Sequence, residues 1–406
     1  MSGPSVSVIV ASHGRPADLG LCLLSLAQQD HDRLEVVVVA CPAGSSAVGS
    51  GPFAGSVKLV SFAERNLSAA RNAGVALAAG EVVAFIDDDA VAEPTWAARL
   101  AAPFMDPAVI QAGGFVRGRN GISLQWGAME IDGSATDHPL EVRTDRASLL
   151  HGTAGRAVKT QGTNMAFRRA ALVEAGGFDP ALRFYLDDAD LNLRLAAGGG
   201  LTAVVPDAQV LHRSAPGPYR RADRVPRSLH EIGASTAVFL RRHAPGDTAA
   251  VEALRHGQRR RLLRHMVAGR IGPEAVAALL ATLEDGLTEG AGRRVSPPQF
   301  ASPPPFLRFP SAGPVPGAVI LSRPWSRAKA EARARRAREG GAVVTILHLR
   351  PGPRRHRLWL RPDGIWEQSG GVWGASDRSD RWLRLWTPST RLRREMQRLS
   401  AYRPVS

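Results

Sequence analysis

Glu81-Val82-Val83-Ala84-Phe85-Ile86-Asp87-Asp88-Asp89 is the stretch around which the rest of the chain is arranged. The apolar run from Val82 to Ile86 stops abruptly at three carboxylates. Such a run, bounded by turn residues, reads as a buried strand inside a parallel sheet. The carboxylates then sit at its C-terminal end, where open α/β sheets place their ligand crevice. Three adjacent anions repel one another, so their clustering costs free energy unless a cation or solvent compensates. Hard divalent cations such as Mg2+ and Mn2+ take oxygen ligands, often one or two carboxylates plus substrate phosphates. A plainer alternative is an acidic loop capping the helix after Glu93-Pro94, because acids suit helix N-termini. The triplet alone does not choose between the two.

Its surroundings do. Upstream, Val6–Val10, Leu34–Val39 and Val57–Ser61 read as strands, and a helix opened by Pro16 runs to Gln28. A helix over Leu67–Ala79 then leads into the acidic strand. Strands and helices alternate on a period of about 30 residues, as crossover βαβ units require. The expected fold is therefore α/β, with a doubly wound, mostly parallel sheet. Downstream, Pro94–Phe104 reads as a helix and Val109–Arg117 as a strand. Residues 122–159 have weak periodicity and read as a long excursion over the active-site face. Gln161–Phe167 is extended, and Arg168–Ala175 is a short helix closed by Gly176-Gly177. Asp187-Asp188-Ala189-Asp190 opens a helix to Ala197, and Leu201–Val205 and Ala208–His212 are two more short strands.

The 406 residues suffice for two or three domains, and a hydrophobic content of 44% is globular. Two cysteines, Cys22 and Cys41, provide neither a disulfide framework nor a zinc cluster, which fits a reducing cytoplasm. Neither a signal peptide nor a membrane-spanning run is visible. Charge is unevenly placed, with a net −6 over residues 1–212, +5 over 213–292 and +16 over 293–406. An acidic crevice and a basic surface thus belong to different parts of the chain.

Five collinear blocks carry a resemblance: Val6-Ser-Val-Ile-Val10-Ala-Ser12, Ala70-Arg71-Asn72-Ala-Gly74, Phe85-Ile-Asp87-Asp88-Asp89, Gly176-Gly177-Phe178-Asp179 and Asp187-Asp188-Ala-Asp190-Leu191. Residues 5–212 resemble the family 2 glycosyltransferases of the GT-A fold, inverting enzymes that use nucleotide-diphospho-sugars. The resemblance implies a Mn2+ or Mg2+ held by Asp89, Asp87 and His212, with Asp87 alternatively on the ribose or a metal-bound water. It places Ala11, Ser12, Arg15, Arg71, Asp87 and Asp88 around the donor nucleotide, Asp88 acting from behind the ligands. Arg213 and Arg221 are further candidates for the diphosphate. It makes Asp188 the general base, with Asp187, Asp190 and Gly177 on the acceptor side. Asp187 stands where the family usually has Glu, and Asp187 or Asp190 alternatively just caps its helix. One departure concerns the donor base. Ala40-Cys41-Pro42-Ala43-Gly44-Ser45 keeps the family's Gly-Ser turn and lacks the carboxylate before it, so UDP, GDP and dTDP donors are not distinguished.

The expected organisation is a GT-A domain over 1–215, a basic helical segment over 216–290, a Pro-rich linker over 291–317 and a small basic α/β domain over 318–406. The expected partners are a nucleotide-diphospho-sugar and a saccharide or lipid-linked acceptor. The expected location is cytoplasmic, with the basic C-terminal part in peripheral contact with an anionic membrane face. Trp359, Trp366, Trp373, Trp382 and Trp386 would sit at that interface or, more simply, in the small domain's core. No nucleic-acid reading motif is present. The competing functions are a non-catalytic GT-A-like binding protein, suggested by Ala40 and Cys41, and a nucleotidyltransferase, for which His13-Gly14-Arg15 is a poor first turn.

Overall fold

The structure, a computed structural model, describes residues 3–405 except 218, 378 and 382. Trp382 therefore lies outside the described residues. β1 (Val6–Ser12), α1 (Pro16–Leu26), β2 (Leu34–Ala40), α2 (Pro42–Gly49), β3 (Lys58–Ser61), α3 (Leu67–Leu77) and β4 (Val82–Ile86) alternate as the pattern requires. The four strands pair in parallel in the order β3-β2-β1-β4. Every residue of β2 and β4 is buried, which is why these strands read as continuous apolar runs. Glu35 is the exception within β2. Its buried carboxylate is compensated by the Lys58 ammonium at 2.7 Å, the Ser7 hydroxyl at 2.5 Å and the Ala79 and Leu307 amides.

After β4 come β5 (Ala90–Ala92), α4 (Trp96–Ala101) and β6 (Val109–Arg117). The excursion contains short strands: β7 (Leu124–Trp126), β8 (Met129–Asp132), β9 (Asp137–Pro139), β10 (Ser148–His151) and β11 (Arg156–Val158). β12 (Asn164–Arg168), α5 (Arg169–Glu174), α6 (Asp187–Ala197) and β13 (Leu201–His212) complete this part. The main sheet runs β10-β13-β6-β12-β4-β1-β2-β3. β12 is antiparallel to both β4 and β6, so the sheet is mixed at its centre rather than parallel throughout. The two strands expected at 201–212 are one. A register shift between Val205 and Val210 absorbs Pro206, which has no N–H to give the ladder. One core packs α1 and α4 on one face of the sheet, and a second packs α3, α5 and α6 on the other.

The basic helical stretch forms α7 (His230–His243), α8 (Thr248–Val267) and α9 (Pro273–Gly292). α7 and α9 touch through glycines: a Cβ on Gly286 would lie 2.0 Å from the His230 carbonyl, and one on Gly290 2.3 Å from that of Ala234. The proline-rich stretch, expected as a linker, is laid against the first domain. Phe309 is buried with its N–H on Leu34, and Ala312 and Gly313 donate to the carbonyls of Ala27 and Gln29. Beyond it, β14 (Gly317–Ser322), α10 (Arg327–Glu339), β15 (Val343–Arg350), β16 (Arg357–Leu360), β17 (Trp366–Gly371) and α11 (Pro388–Leu399) form a second α/β unit with sheet order β14-β15-β17-β16.

This unit is docked by specific contacts. Trp366 is fully buried, its indole N–H donating to Gln28 at 2.9 Å, and the Leu358 N–H reaches the Asn120 carbonyl at 2.8 Å. Glu93, at the exit of β5, does not serve as a helix cap. Its buried carboxylate receives the Arg403 guanidinium at 2.6 and 2.9 Å, while Arg403 stacks 3.7 Å from the Trp366 ring centre. Trp366 is thus core, whereas Trp359 keeps 38% of its surface exposed.

Candidate active site

Past the end of β4, Asp87 and Asp89 face one cavity while Asp88 between them turns the other way, the period-two alternation of an extended chain. Asp88 points back into the protein, where Arg15 meets it at 2.5 Å and the Ser12 hydroxyl at 2.7 Å. Burial pushes its carboxyl up to about 7 against the pull of Arg15. Asp89 is 2% exposed and lies 3.3 Å from His212 Nε2, with Arg15 at 3.0 Å and the Ala215 N–H at 2.7 Å. Burial alone would raise its pKa, but the hydrogen bond and charge of His212 hold it well below the usual carboxylate range. His212 is fixed by β13 pairing with β5 and by Trp126 stacked on its ring at 5.6 Å. Asp87 stays half-buried, hydrogen-bonded by Thr163 at 2.5 Å.

The second acidic block reaches the same place. α6 starts after Tyr185 and Leu186, whose φ angles of 80° and 63° are left-handed. Two consecutive residues of this kind cost about 1–3 kcal/mol each. They aim the first turn of α6 at the end of β4. Asp187 is buried and bonded to the Arg71 guanidinium, which also lies 3.5 Å from Asp87 and donates to the Gly162 carbonyl at 3.0 Å. Burial raises the Asp187 carboxyl to about 6, and Arg71 opposes the rise. A Cβ on Gly162 would meet Arg71 Nη2 at 2.7 Å, so glycine is needed for this bridge. Asp188 accepts from the Gly162 N–H at 2.8 Å and is half-buried.

Two cavities join here. One, of about 290 Å3, is lined by Ala11, Ser12, Arg15, Asp89 and His212; the other, of about 480 Å3, by Lys159, Tyr185, Asp187, Asp188 and Arg261. Asp87, Trp126, Thr163 and Arg220 line both, as do Phe184 and Tyr219, which stack at 4.0 Å. The two aspartate clusters thus open on one cleft. The sequence profile of the family described as "Glycosyltransferase like family 2" matches residues 4–227.

The chain belongs to this family.

Within the family, residues of this chain are 43% identical over 54 residues to an N-acetylglucosaminyl-diphospho-decaprenol L-rhamnosyltransferase of Mycobacterium tuberculosis, covering 13% of this chain and 18% of that protein. They are 32% identical over 117 residues to a glucosyl-dolichyl phosphate glucuronosyltransferase of Haloferax volcanii, covering 28% and 35%. The chain thus spans about a third or less of the length of these relatives. A crystal structure of GalNAc-T7 with UDP, GalNAc and Mn2+ superposes with a TM-score of 0.43 at 20% identity, over 52% of this chain and 44% of that one. The GT-A expectation agrees with the family match and with the mixed α/β sheet.

Several expected site residues in this glycosyltransferase-like domain lie elsewhere. Asp190 is buried away from the cleft, held by Arg194 at 2.9 Å, Arg242 at 2.6 Å and His243 at 2.8 Å. Neither it nor Asp187 caps α6, because Leu186 occupies the cap and both carboxylates have arginine partners. Gly177 sits behind the cleft with φ 67°, where a Cβ would meet Asn72 and Phe300. Asn72 clamps the backbone of Phe178. Arg213 pairs with Asp18 and Arg221 with Asp223, while their neighbour Arg220 enters the cleft 3.7 Å from Asp89. Trp126, Thr163, Phe184 and Tyr219 were not expected there. Cys41 opens α2, and its thiol accepts from the Gly14 N–H at 3.3 Å. Burial raises its pKa, but the amides of Gly44, Gly14 and Ala43 outweigh this and lower it.

The ligand atoms of Asp87, Asp89 and His212 lie within 4.8 Å of one another, a two-oxygen, one-nitrogen set that fits Mn2+ and, with less preference for the imidazole, Mg2+. Among the described residues no helix is long and apolar enough to cross a membrane.

Proposed function

We propose that this chain transfers a sugar from a nucleotide-diphospho-sugar to a hydroxyl of a saccharide or lipid-linked acceptor, with inversion at the anomeric carbon. The observation that carries the proposal is the position of Asp87 on the wall between two cavities, one holding Asp89 and His212 and the other Asp188. The diphosphate belongs in the first, where Arg15 and Arg220 stand beside Asp89 and can turn to phosphate oxygens. A Mn2+ or Mg2+ held by Asp87, Asp89 and His212 would neutralise charge gathering on the departing diphosphate.

The acceptor belongs in the second cavity. Its hydroxyl oxygen attacks the anomeric carbon as its proton passes to the Asp188 carboxylate. The bond from that carbon to the phosphate oxygen breaks, and its electron pair leaves with the nucleoside diphosphate. Attack from the side opposite the leaving group inverts the centre. Gly162 and the first turn of α6 orient Asp188, while Arg71 neutralises Asp187 so that it does not compete for the cleft. The stacked Phe184 and Tyr219 line both cavities and offer the sugar an aromatic wall.

Cys41, standing where the family usually has a carboxylate for the donor base, favours a second reading in which the cleft binds a saccharide without turnover. A panel of nucleotide-sugars with Mn2+ tests both by release of nucleoside diphosphate. The expected result is turnover with one donor, and a kcat some 10²- to 10⁴-fold lower in Asp188→Asn at unchanged donor affinity. Turnover by Asp188→Asn within threefold of the wild type removes Asp188 as base. Absence of turnover with every donor leaves the binding protein.

A further inference from the structure

We propose that the C-terminal unit carries a docking face for an anionic phospholipid surface. Three neighbouring segments, residues 350–357, 371–375 and 383–386, build it. The Gly371 N–H donates to the Arg354 carbonyl at 2.7 Å, Trp373 to Gly352 at 3.2 Å, and His356 to Ala375 at 2.9 Å. On the other side the Arg384 N–H reaches Trp373 at 3.2 Å, and the Trp373 indole donates to the Trp386 carbonyl at 3.1 Å. Glycines make the approach close: a Cβ on Gly371 would lie 2.0 Å from the Gly352 oxygen, and one on Gly374 1.9 Å from that of Arg354. A run of arginines usually rides on solvated chain, whereas this one is carried by a pinned backbone.

Arg350, Arg354, Arg355 and Arg357 surround a cavity of about 490 Å3 with Trp359 on its wall, and no carboxylate lines it. Among the described residues, Arg354, Arg355 and Arg357 have no acidic partner within ion-pair distance, unlike Arg391, Arg394 and Arg398 nearby, which all pair with Glu395. Gathering like charges without counter-charge costs free energy that an external anion would return. The adjoining segment 383–386, tied to the arginine segment through the backbone of Trp373, exposes Leu385 at 79% and Leu383 at 38% beside a second cavity that also holds Asp380, with Arg384 stacked 4.3 Å over Trp386.

That combination selects the occupant. Arginines alone suit any polyanion, but exposed leucines beside them suit a surface that is anionic outside and apolar beneath. A nucleic acid would neutralise the arginines and leave Leu385 in water. The proposal is independent of the chemistry proposed for the cleft.

The test is cosedimentation of the full chain with vesicles of phosphatidylcholine, alone or mixed with phosphatidylglycerol. Binding should require the anionic lipid and fall steeply with salt. Arg354→Glu/Arg355→Glu/Arg357→Glu should weaken it by on the order of 100-fold or more. Leu385→Ser should weaken it severalfold at constant ionic strength. Thermal melting should not fall, because the altered side chains have no partners to lose and the triple variant relieves like-charge repulsion. Equal binding to neutral vesicles, no binding at all, or full binding by the triple variant would overturn the proposal. So would an unaltered Leu385→Ser together with displacement of the vesicles by a short RNA of equal charge, which would make the face a general polyanion site.

Discussion

Arg403→Met tests how the two units are held together. Arg403 is 2% exposed and Glu93 is wholly buried; two hydrogen bonds of 2.6 and 2.9 Å join them, and a third runs from Arg403 to Thr345 at 3.1 Å. Arg117, the other cation near Glu93, is 3.8 Å away and too distant to replace a bidentate partner. Removing Arg403 leaves a carboxylate desolvated and underpaired, a change that costs about 3–5 kcal/mol. Loss of the guanidinium from the Trp366 face adds about 1 kcal/mol. Replacing both partners, as Glu93→Met/Arg403→Met, removes the buried charge as well and should recover most of the loss. Urea unfolding of the wild type, both single variants and the double variant supplies the cycle. Additive losses, or a loss below about 1 kcal/mol for Arg403→Met, would refute the argument that Glu93 depends on this guanidinium.

Glycines in α8 and α9 should respond with opposite signs. Gly257→Ala, with nothing within 4 Å of the added Cβ, should stabilise by up to about 1 kcal/mol, whereas Gly286→Ala must push α9 off the His230 carbonyl and should destabilise by about 1–3 kcal/mol in thermal melts. His356 makes the C-terminal unit sensitive to mild acid. Burial, with Arg391 and Arg398 beside it, lowers its pKa to about 4 from an ordinary 6.5, so the unfolded chain takes up the proton first. Stability should be flat above about pH 7, fall by up to about 3 kcal/mol between 6.5 and 4, and lose no more from this group below 4. Glu395, held at about 2 by Arg398 and Arg391 in spite of burial, adds its own loss only below pH 4.5. Denaturation of His356→Gln across pH should lack the first decline, and an unchanged profile would sink the assignment.

The elements whose pattern is local were legible in the sequence. Val82–Ile86 is apolar because both faces of β4 are covered, and α6 begins where Asp187 follows a turn. What escaped depended on partners far along the chain. Nothing in Asn164–Arg168 states that β12 runs against its neighbours. Nothing in the prolines of 291–317 states that Phe309 has a socket on the first domain. At the cleft, the family resemblance pointed to Asp87, Asp89 and His212, which lie just after β4, just before β5 and at the end of β13. Asp190 was misplaced because its arginine and histidine partners come from α7, some 50 residues later. Arg220 was missed by one residue in favour of Arg221, since charge alone does not say which way a loop side chain turns.

The pairing of Glu93 with Arg403 also sets an order of events during synthesis. The carboxylate is made 310 residues before its guanidinium. Until translation has delivered that arginine, β5 and the start of α4 must either keep Glu93 hydrated or bury it as the acid. The first domain of a nascent chain is therefore unfinished where β5 passes into α4, and a ribosome-bound fragment lacking residue 403 should remain open there to proteases and to chaperones.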